Sequence, residues 1–368
     1  MAKFKDICTK IGSGATPKGG KEAYCEDGIS LIRSQNVLDF AFSAGGLAYI
    51  NELQAEKLKN VIVEEDDVLL NITGDSVARA CRVDKKYLPA RVNQHVCIIR
   101  ADSSKAIPSY LLYYLQLNKE YLLQLASGGA TRNALTKDMI NNLELELPTI
   151  EEQQKVVAVL DDIQKKIDFN NAINENLEQQ AQAIYCDMFI TNANPSWQLG
   201  RLSDLIAVRY GKNHKKLADG IYPVYGSGGI MRYAEKPLYD KESVLIPRKG
   251  TLNNVMYVNK PFWSVDTMFF TEMKLPNVAK FVFHFVKSKD LASLNAGSAV
   301  PSMTTDILNA MELSIPDANT LYKFENIVAP MYQAMQQNTQ QSSKLAELRD
   351  SLLPRLMSGE IDVTDIQI

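Results

Sequence analysis

The sequence predicts an α+β protein in which two pseudo-repeated α/β domains are joined by two long helices forming an antiparallel coiled coil. Three observations carry that prediction. A block of twenty residues recurs at a constant offset of 168, each copy of the block runs into a long helical heptad pattern, and the stretches before the two blocks share one order of short strands and turns. Self-similarity at this scale marks a structural unit written twice.

The first domain is assigned to residues 1–148. Within it, Asp67-Val68-Leu69-Leu70 running to Gly74 reads as a strand and turn, echoed in the second half by Ser243-Val244-Leu245-Ile246 running to Gly250. Val92-Asn93-Gln94 is echoed by Val265-Asp266-Thr267. The repeated block itself is Gly129 to Pro148 set above Gly297 to Pro316, aligned without a gap. Gly129/Gly297, Thr136/Thr304, Asp138/Asp306, Asn141/Asn309, Glu144/Glu312, Leu145/Leu313 and Pro148/Pro316 are identical. Apolar positions match as well: Leu135/Met303, Met139/Ile307, Ile140/Leu308, Leu143/Met311 and Leu147/Ile315. Each block reads as a glycine turn, a threonine N-cap opening a short helix, and an alternating strand such as Leu143 to Leu147, ended by proline.

The first connecting helix is assigned to 149–190, opened by a Thr149/Glu152 capping box. Val156, Leu160, Ile163, Ile167, Asn170, Asn174, Leu177, Ala181, Ile184 and Met188 follow the alternating four- and three-residue steps of a coiled-coil seam. The second domain is assigned to 191–316, entered through Asn192-Ala193-Asn194-Pro195-Ser196. The second connecting helix and tail occupy 317–368. The same offset gives that helix the seam Phe324, Val328, Met331, Met335, Asn338, Ser342, Leu345, Arg349, Leu352 and Leu356. Here Arg349 breaks the seam, Pro354 is expected to kink or end the helix, the capping glutamate is absent, and Ser358-Gly359-Glu360-Ile361 stops it. Antiparallel pairing sets Asn170 with Ser342 and Asn174 with Asn338, whereas parallel pairing sets Asn170 with Asn338 and Asn174 with Ser342. Both match polar with polar, so the seam alone does not choose. The second domain lies in the connection between the helices, which favours antiparallel; two separate amphipathic helices, each covering its own domain, are the alternative.

Composition bounds the function. The chain has 368 residues, 46% of them hydrophobic and 23% charged, with a net charge of −3. That is ordinary for a soluble protein of two to three domains. No apolar run reaches the length of a membrane helix, and no apolar region follows the first lysines as in a signal peptide. Five scattered cysteines without a CxxC pair fit reduced thiols in a cytoplasmic protein. A pI near 5.8 argues mildly against a stand-alone nucleic-acid binder, which draws its affinity from phosphate neutralisation, and leaves room for a local basic surface or a partner that supplies the grip.

Enzyme signatures fail one by one. Gly12-Ser13-Gly14-Ala15-Thr16-Pro17 is only GxGxxP, and Gly14 to Lys21 is followed by Glu22 where a phosphate loop needs Ser or Thr. No Pro-Pro dipeptide occurs, so the amino-methyltransferase motif is absent. His95, His214 and His284 are far apart and lack cysteine companions, so no metal site and no cofactor is expected. His284, inside Phe281-Val282-Phe283-His284-Phe285, reads as packing.

With repeat, helices and turns assembled, the chain resembles the specificity subunits of type I restriction-modification systems along essentially its whole length. Gly14-Ala15-Thr16-Pro17 resembles that family's glycine-threonine-proline turn, Leu31 to Val37 its I-R-x-x-N-I strand, Val68 to Gly74 its D-V-L strand, and Asn93-Gln94-His95 its N-Q-H turn. Tyr222 to Ile230, Gly297 to Pro316, Pro148 to Gln153 and Leu352 to Glu360 are similar to further segments of the family. The departures are a missing E-Q after Pro316 and Val265-Asp266-Thr267 in place of a second N-Q-H.

The resemblance implies a non-catalytic subunit whose two target-recognition domains each read half of an asymmetric, bipartite double-stranded DNA site. It implies two methyltransferase (M) subunits docked on helices and domains, with restriction/motor (R) subunits in the full complex. A seam of about 33 residues is roughly 50 Å long, a ruler between the two domains. The DNA-contact candidates of the first domain are Thr16, Lys18, Arg33, Ser34, Asn36, Arg79, Thr131 and Arg132, polar or basic residues in or beside loops. In the second domain they are Lys212, Asn213, His214, Lys215 and Lys216, with Arg248 and Lys249 as a second cluster. A lysine run is also what a plain solvated loop looks like, and Asn71 and Asn93 fit capping as well as DNA contact. Two other classes stay open. An enzyme with an unrecognised site predicts metal-dependent turnover by the isolated chain. An orphan recognition subunit or protein-interaction scaffold fits the acidic pI and the long helices, and binding to a methyltransferase subunit discriminates it.

Overall fold

The computed structural model describes residues 1–128, 133–294 and 302–363. By its contacts the chain divides into one unit made of residues 1–170 with the chain from 340 onward, and a second made of 171–339. Each long helix therefore contributes one half to each unit.

The first domain begins with β1 (Ala2–Lys3), α1 (Phe4–Ile7), β2 (Cys8–Ser13), β3 (Ile29–Ile32), β4 (Ala48–Ile50), α2 (Glu52–Lys57), β5 (Ile62–Val63), β6 (Val68–Asn71) and β7 (Ala80–Arg82). It continues through β8 (Ala90–Val92), β9 (Val96–Ala101), α3 (Pro108–Leu117), α4 (Lys119–Ser127), α5 (Lys137–Asn141) and β10 (Glu144–Leu145). One sheet has the order β2-β9-β6-β7 and a second β4-β3-β8-β5, while β1 pairs with β10. Within the second sheet β3 and β8 run parallel. The central strands read as unbroken apolar runs because both faces are covered. Val68, Leu70 and Ile99 face the helices and pack with Phe4, Tyr110 and Leu111, whereas Leu69, Val96 and Ile98 face the other sheet and pack with Leu31, Ile32 and Val92. Each such side chain withdrawn from water contributes about 1.5–3 kcal/mol. α3 opens with Pro108 in its first turn, where a missing amide costs nothing. The expected strand Leu143 to Leu147 is shortened to Glu144–Leu145, the two residues that find a partner in β1.

After α6 (Ile150–Cys186) and one π turn at Asp187–Thr191, the second domain repeats the plan. It contains β11 (Gln198–Arg201), α7 (Leu202–Leu205), β12 (Ile206–Tyr210), β13 (Asp219–Gly226), β14 (Gly229–Ala234), β15 (Ser243–Pro247) and β16 (Met256–Val258). Then follow β17 (Trp263–Ser264), β18 (Met268–Met273), α8 (Ala279–Lys287), α9 (Thr305–Asn309) and β19 (Glu312–Ile315). The order β12-β18-β15-β16 matches the first sheet above, β14-β13-β17 the second, and β11 pairs with β19 as β1 does with β10. β13 and β17 are again the parallel pair. The same two-sided burial recurs: Val244, Ile246 and Phe269 point to the helices, and Leu245, Met268 and Phe270 to the other sheet.

The last element is α10 (Ala318–Met357). The capping box of α6 is present, with Thr149 N donating to Glu152 at 2.8 Å and Glu152 N to Thr149 Oγ1 at 3.3 Å. α10 starts without a glutamate because Asp317 does the capping, accepting from Thr320 N at 2.9 Å and from the Thr320 hydroxyl. Those bonds, with the Trp197 indole, hold its carboxyl down at about 2. Pairing between the long helices is antiparallel in each unit. In the first, Asn170 donates to Gln341 and Ser342, and Arg349 to Gln164 at 2.6 Å; in the second, Asn338 donates to Asn174 at 2.9 Å.

Two expectations for α10 are corrected. Arg349 does not interrupt the seam: its guanidinium is buried 3.7 Å from the Phe40 ring centre and bonds Gln164 and Asp350, forming one more polar layer. Pro354 does not end the helix, which continues to Met357. Leu353 and Leu356 on either side are buried in the first core, Ser358 N closes onto Pro354 O at 3.0 Å, and the stop falls at Gly359 with φ +74°. Among the described residues no helix is long and apolar enough to cross a membrane.

Candidate nucleic-acid interface

At one end of each domain four loops meet, and the same backbone bonds hold them in both copies. Ile72 N donates to His95 O at 2.9 Å, as Arg248 N does to Thr267 O at 2.9 Å. Leu135 N donates to Ile72 O and Met303 N to Arg248 O; Asn93 N donates to Ile32 O and Val265 N to Tyr225 O. Thr73 bridges Ala134 as Lys249 bridges Ser302. Gly74 and Gly250, the next residues, share a left-handed backbone with φ of +77° and +87°, which favours glycine. A Cβ on Gly14 would stand 1.7 Å from Val92 O, and one on Gly211 2.0 Å from Val265 O, so both loops need glycine to lie this close. The frame is shared, and the side chains mounted on it differ.

In the first domain the exposed end carries a chain of side-chain hydrogen bonds. Thr16 donates to Gln94 Oε1, Gln94 Nε2 donates to His95 Nε2 at 2.9 Å, and His95 Nδ1 meets the Thr73 hydroxyl. Lys18 is exposed beside it, and its carbonyl accepts from Gln54. Arg79 is half-buried, with its carbonyl bonded by Asn71 N. The Arg33 guanidinium is spent on Gly46 O at 2.6 Å, and the Ser34 carbonyl accepts from Asn71 Nδ2 at 2.9 Å. Asn36 is withdrawn from the DNA candidates. It is fully buried, its Nδ2 donates to Ser43 O and Gly45 O, and its Oδ1 accepts from Arg33 N. Asn71 and Asn93 are structural in the same way: Asn71 donates to Ser34 O and Val37 O, and Asn93 Oδ1 accepts from His95 N. Thr131 and Arg132 lie outside the described residues. Gln94, His95 and Thr73 were not among the contact candidates; the N-Q-H turn was a signal for Gln94 and His95, and nothing singled out Thr73.

In the second domain the same end is cationic. Lys212 N donates to Ser264 O at 2.8 Å and Lys212 O accepts from the Trp263 indole at 2.8 Å, which pins the backbone and leaves the side chain exposed. Asn213 Oδ1 accepts from Lys215 N, so Asn213 shapes the turn. His214 is half-buried with its carbonyl bonded by Leu217 N, and Lys215 and Lys216 are exposed. Arg248 donates to Asp266 O at 3.1 Å and lies 5.5 Å over the Tyr210 ring, and Lys249 is exposed next to it. Tyr210 and Arg248 thus join the two basic runs into one surface. The neighbouring Arg209 and Arg232 are tied to Glu272 and Asp219, whereas Lys212, Lys215, Lys216, Arg248 and Lys249 have no carboxylate partner among the described residues. Unpaired cations of this density suit phosphates. Burial pushes the thiols of Cys8, Cys81 and Cys97 up to about 12, which leaves these three poor nucleophiles.

Comparison with known proteins places the chain in a family. The model of the type I restriction modification DNA specificity domain matches residues 1–179 and again 194–342. The type I restriction enzyme MjaIX specificity subunit of Methanocaldococcus jannaschii is 24% identical, over 100% of this chain and 94% of its own. The HindI specificity subunit of Haemophilus influenzae is 20% identical, over 90% and 94%. The crystal structure of a type I restriction-modification S subunit from M. genitalium shares the fold, with a TM-score of 0.53 at 16% identity over 96% of this chain and 95% of that one.

Proposed function

Because this chain belongs to the family of the type I restriction modification DNA specificity domain, as a non-catalytic specificity subunit concerned with DNA target recognition, we propose that each domain reads one half of an asymmetric, bipartite duplex target with its four-loop end. One observation carries this reading. Two copies of one backbone frame present different side chains at equivalent places, Thr73 and His95 in one against Lys249 and Thr267 in the other. A shared frame with unlike contacts is what two unequal half-sites require, since base edges are told apart by the donors, acceptors and apolar groups that meet them. The cations of the second domain add the phosphate grip that positions the protein without specifying sequence.

The helices of 37 and 40 residues are about 55–60 Å long at 1.5 Å per residue. In this reading they set the spacing between half-sites and carry two methyltransferase subunits, with restriction subunits joining the full complex in the cytoplasm. Base flipping and adenine methylation belong to those partners. The test is a base-resolution methylation map of host DNA with and without the gene, in cells that make the methyltransferase partner. The expected result is loss of one asymmetric, two-part adenine-methylation motif on deletion. An unchanged map overturns the reading.

A further inference from the structure

Close to its turn, the hairpin of β13 and β14 breaks its ladder at one residue. Val224 pairs with Arg232 and Tyr225 with Ile230, so Met231 is left over between them as a β-bulge. Bulges re-aim side chains and gather beside functional sites. This one turns out an apolar group: Met231 is 60% exposed, with Ile230 at 47% and Tyr233 at 50% beside it. The Met231 sulfur lies across Gly226, where a Cβ would stand only 2.5 Å from Sδ, so the glycine gives the thioether its seat.

The hairpin belongs to the same loop end as the cations. Its turn residue Ser227 accepts from Asn254 at 2.8 Å through its carbonyl and abuts Gly250, next to Lys249. Tyr225 O accepts from Val265 N at 3.0 Å. On the far side of the bulge, Arg232 donates to Leu217 O and Asp219, which ties the strand to the lysine-bearing loop. An exposed, flexible apolar side chain at a loop end whose Lys212, Lys215, Lys216, Arg248 and Lys249 lack carboxylate partners among the described residues suits a polyanion with an apolar feature between its phosphates. In duplex DNA that feature is the thymine methyl group of the major groove. The corresponding 33–46 stretch of the first domain is built differently, closed on itself by Asn36, with Phe42 against Tyr87 at 4.9 Å.

We propose that Met231 is an apolar base-contact residue of the second domain, seated on a thymine methyl group in that domain's half-site. The proposal rests on the reading that the four-loop end binds DNA. It is tested with the complex of this chain and its methyltransferase partner, on duplexes of the mapped target in which each thymine of the half-site is replaced singly by uracil. One replacement should weaken binding about fourfold, the effect of one buried methyl group. M231A should bind the thymine duplex about as weakly and no longer distinguish uracil there, M231L should keep the discrimination, and G226A, which displaces the sulfur, should lose it with Met231 still present. An M231A complex with the wild-type uracil profile overturns the proposal while leaving motif recognition intact. So does an M231A chain that binds DNA normally when partner is supplied in excess but has lost affinity for the methyltransferase. A wild-type complex with no preference for its motif removes the underlying reading as well.

Discussion

His284 is fully buried at the base of the second domain, between Gln182 Oε1 at 2.7 Å from its Nδ1 and the Tyr332 hydroxyl at 2.9 Å from its Nε2. An amide oxygen only accepts, so Nδ1 carries the proton and Nε2 accepts from the phenol. Burial, with Lys287 nearby, pushes the ring down from 6.5 to about 3. Between those values the unfolded chain takes up a proton that the folded domain refuses, so stability is present above pH 6.5 and falls as the pH drops towards 3. The loss is about 1.4 kcal/mol per pH unit. Thermal melts of the wild type should therefore lose stability from pH 7 to 5.5, before the carboxylates titrate. H284Q should be less stable at pH 7 yet flatter over that range, and an equal slope in both would refute the assignment. The sequence placed His284 in a packed environment from its aromatic neighbours, but not its hydrogen bonds, which come from elements about 50 and 100 positions away. Asn36 failed for the related reason that a polar residue in a loop looks the same whether its amide faces water or closes the loop on itself.

The long helices were legible because a seam repeats every few residues and needs no tertiary knowledge to count. Their direction was not, since Asn170 and Asn174 meet polar partners in either sense; the bonds to Ser342 and Asn338 decide it. Arg349 and Pro354 were misjudged because propensity sees one helix at a time, while the Phe40 ring and the buried Leu353 and Leu356 come from packing. A buried polar layer fixes register at some cost in stability. N174L alone should lower the stability by about 1 kcal/mol, through loss of the bonds Asn174 makes to Asn338, Thr339 and Met335 O. N174L/N338L together should recover that loss and exceed the wild type. If the double variant melts below both singles, the layer is stabilising in itself and this account of it fails.

For the whole molecule, the repeat was readable because turns, caps and strand ends impose the same residues wherever one backbone recurs: Thr136 and Thr304 both cap their helices. The proposed reading surface was legible only in part, because residues released from that constraint are free to diverge. Lys249 stood out as a candidate through its charge, while Thr73, its counterpart in the frame, carries no such signal. If the helices measure the distance between half-sites, removing one matching heptad from each should shorten the spacer of the methylated motif by about three base pairs. That follows from seven residues at 1.5 Å, roughly 10 Å, against 3.4 Å per base step. Both half-sequences should stay as they were, and an unaltered spacer in the methylation map would end the ruler idea.

Leu353, Leu356 and Val363 are part of the core that also contains Phe4 and Tyr110, whereas the second unit is one continuous stretch, 171–339. Order of synthesis is therefore the reverse of order of completion. The domain that leaves the ribosome first must wait, with part of its apolar core uncovered, until the last turns of α10 have been made, and the domain translated later closes before it. A ribosome that halts short of Leu353 would release a chain with its second domain finished and its first still waiting for its last wall.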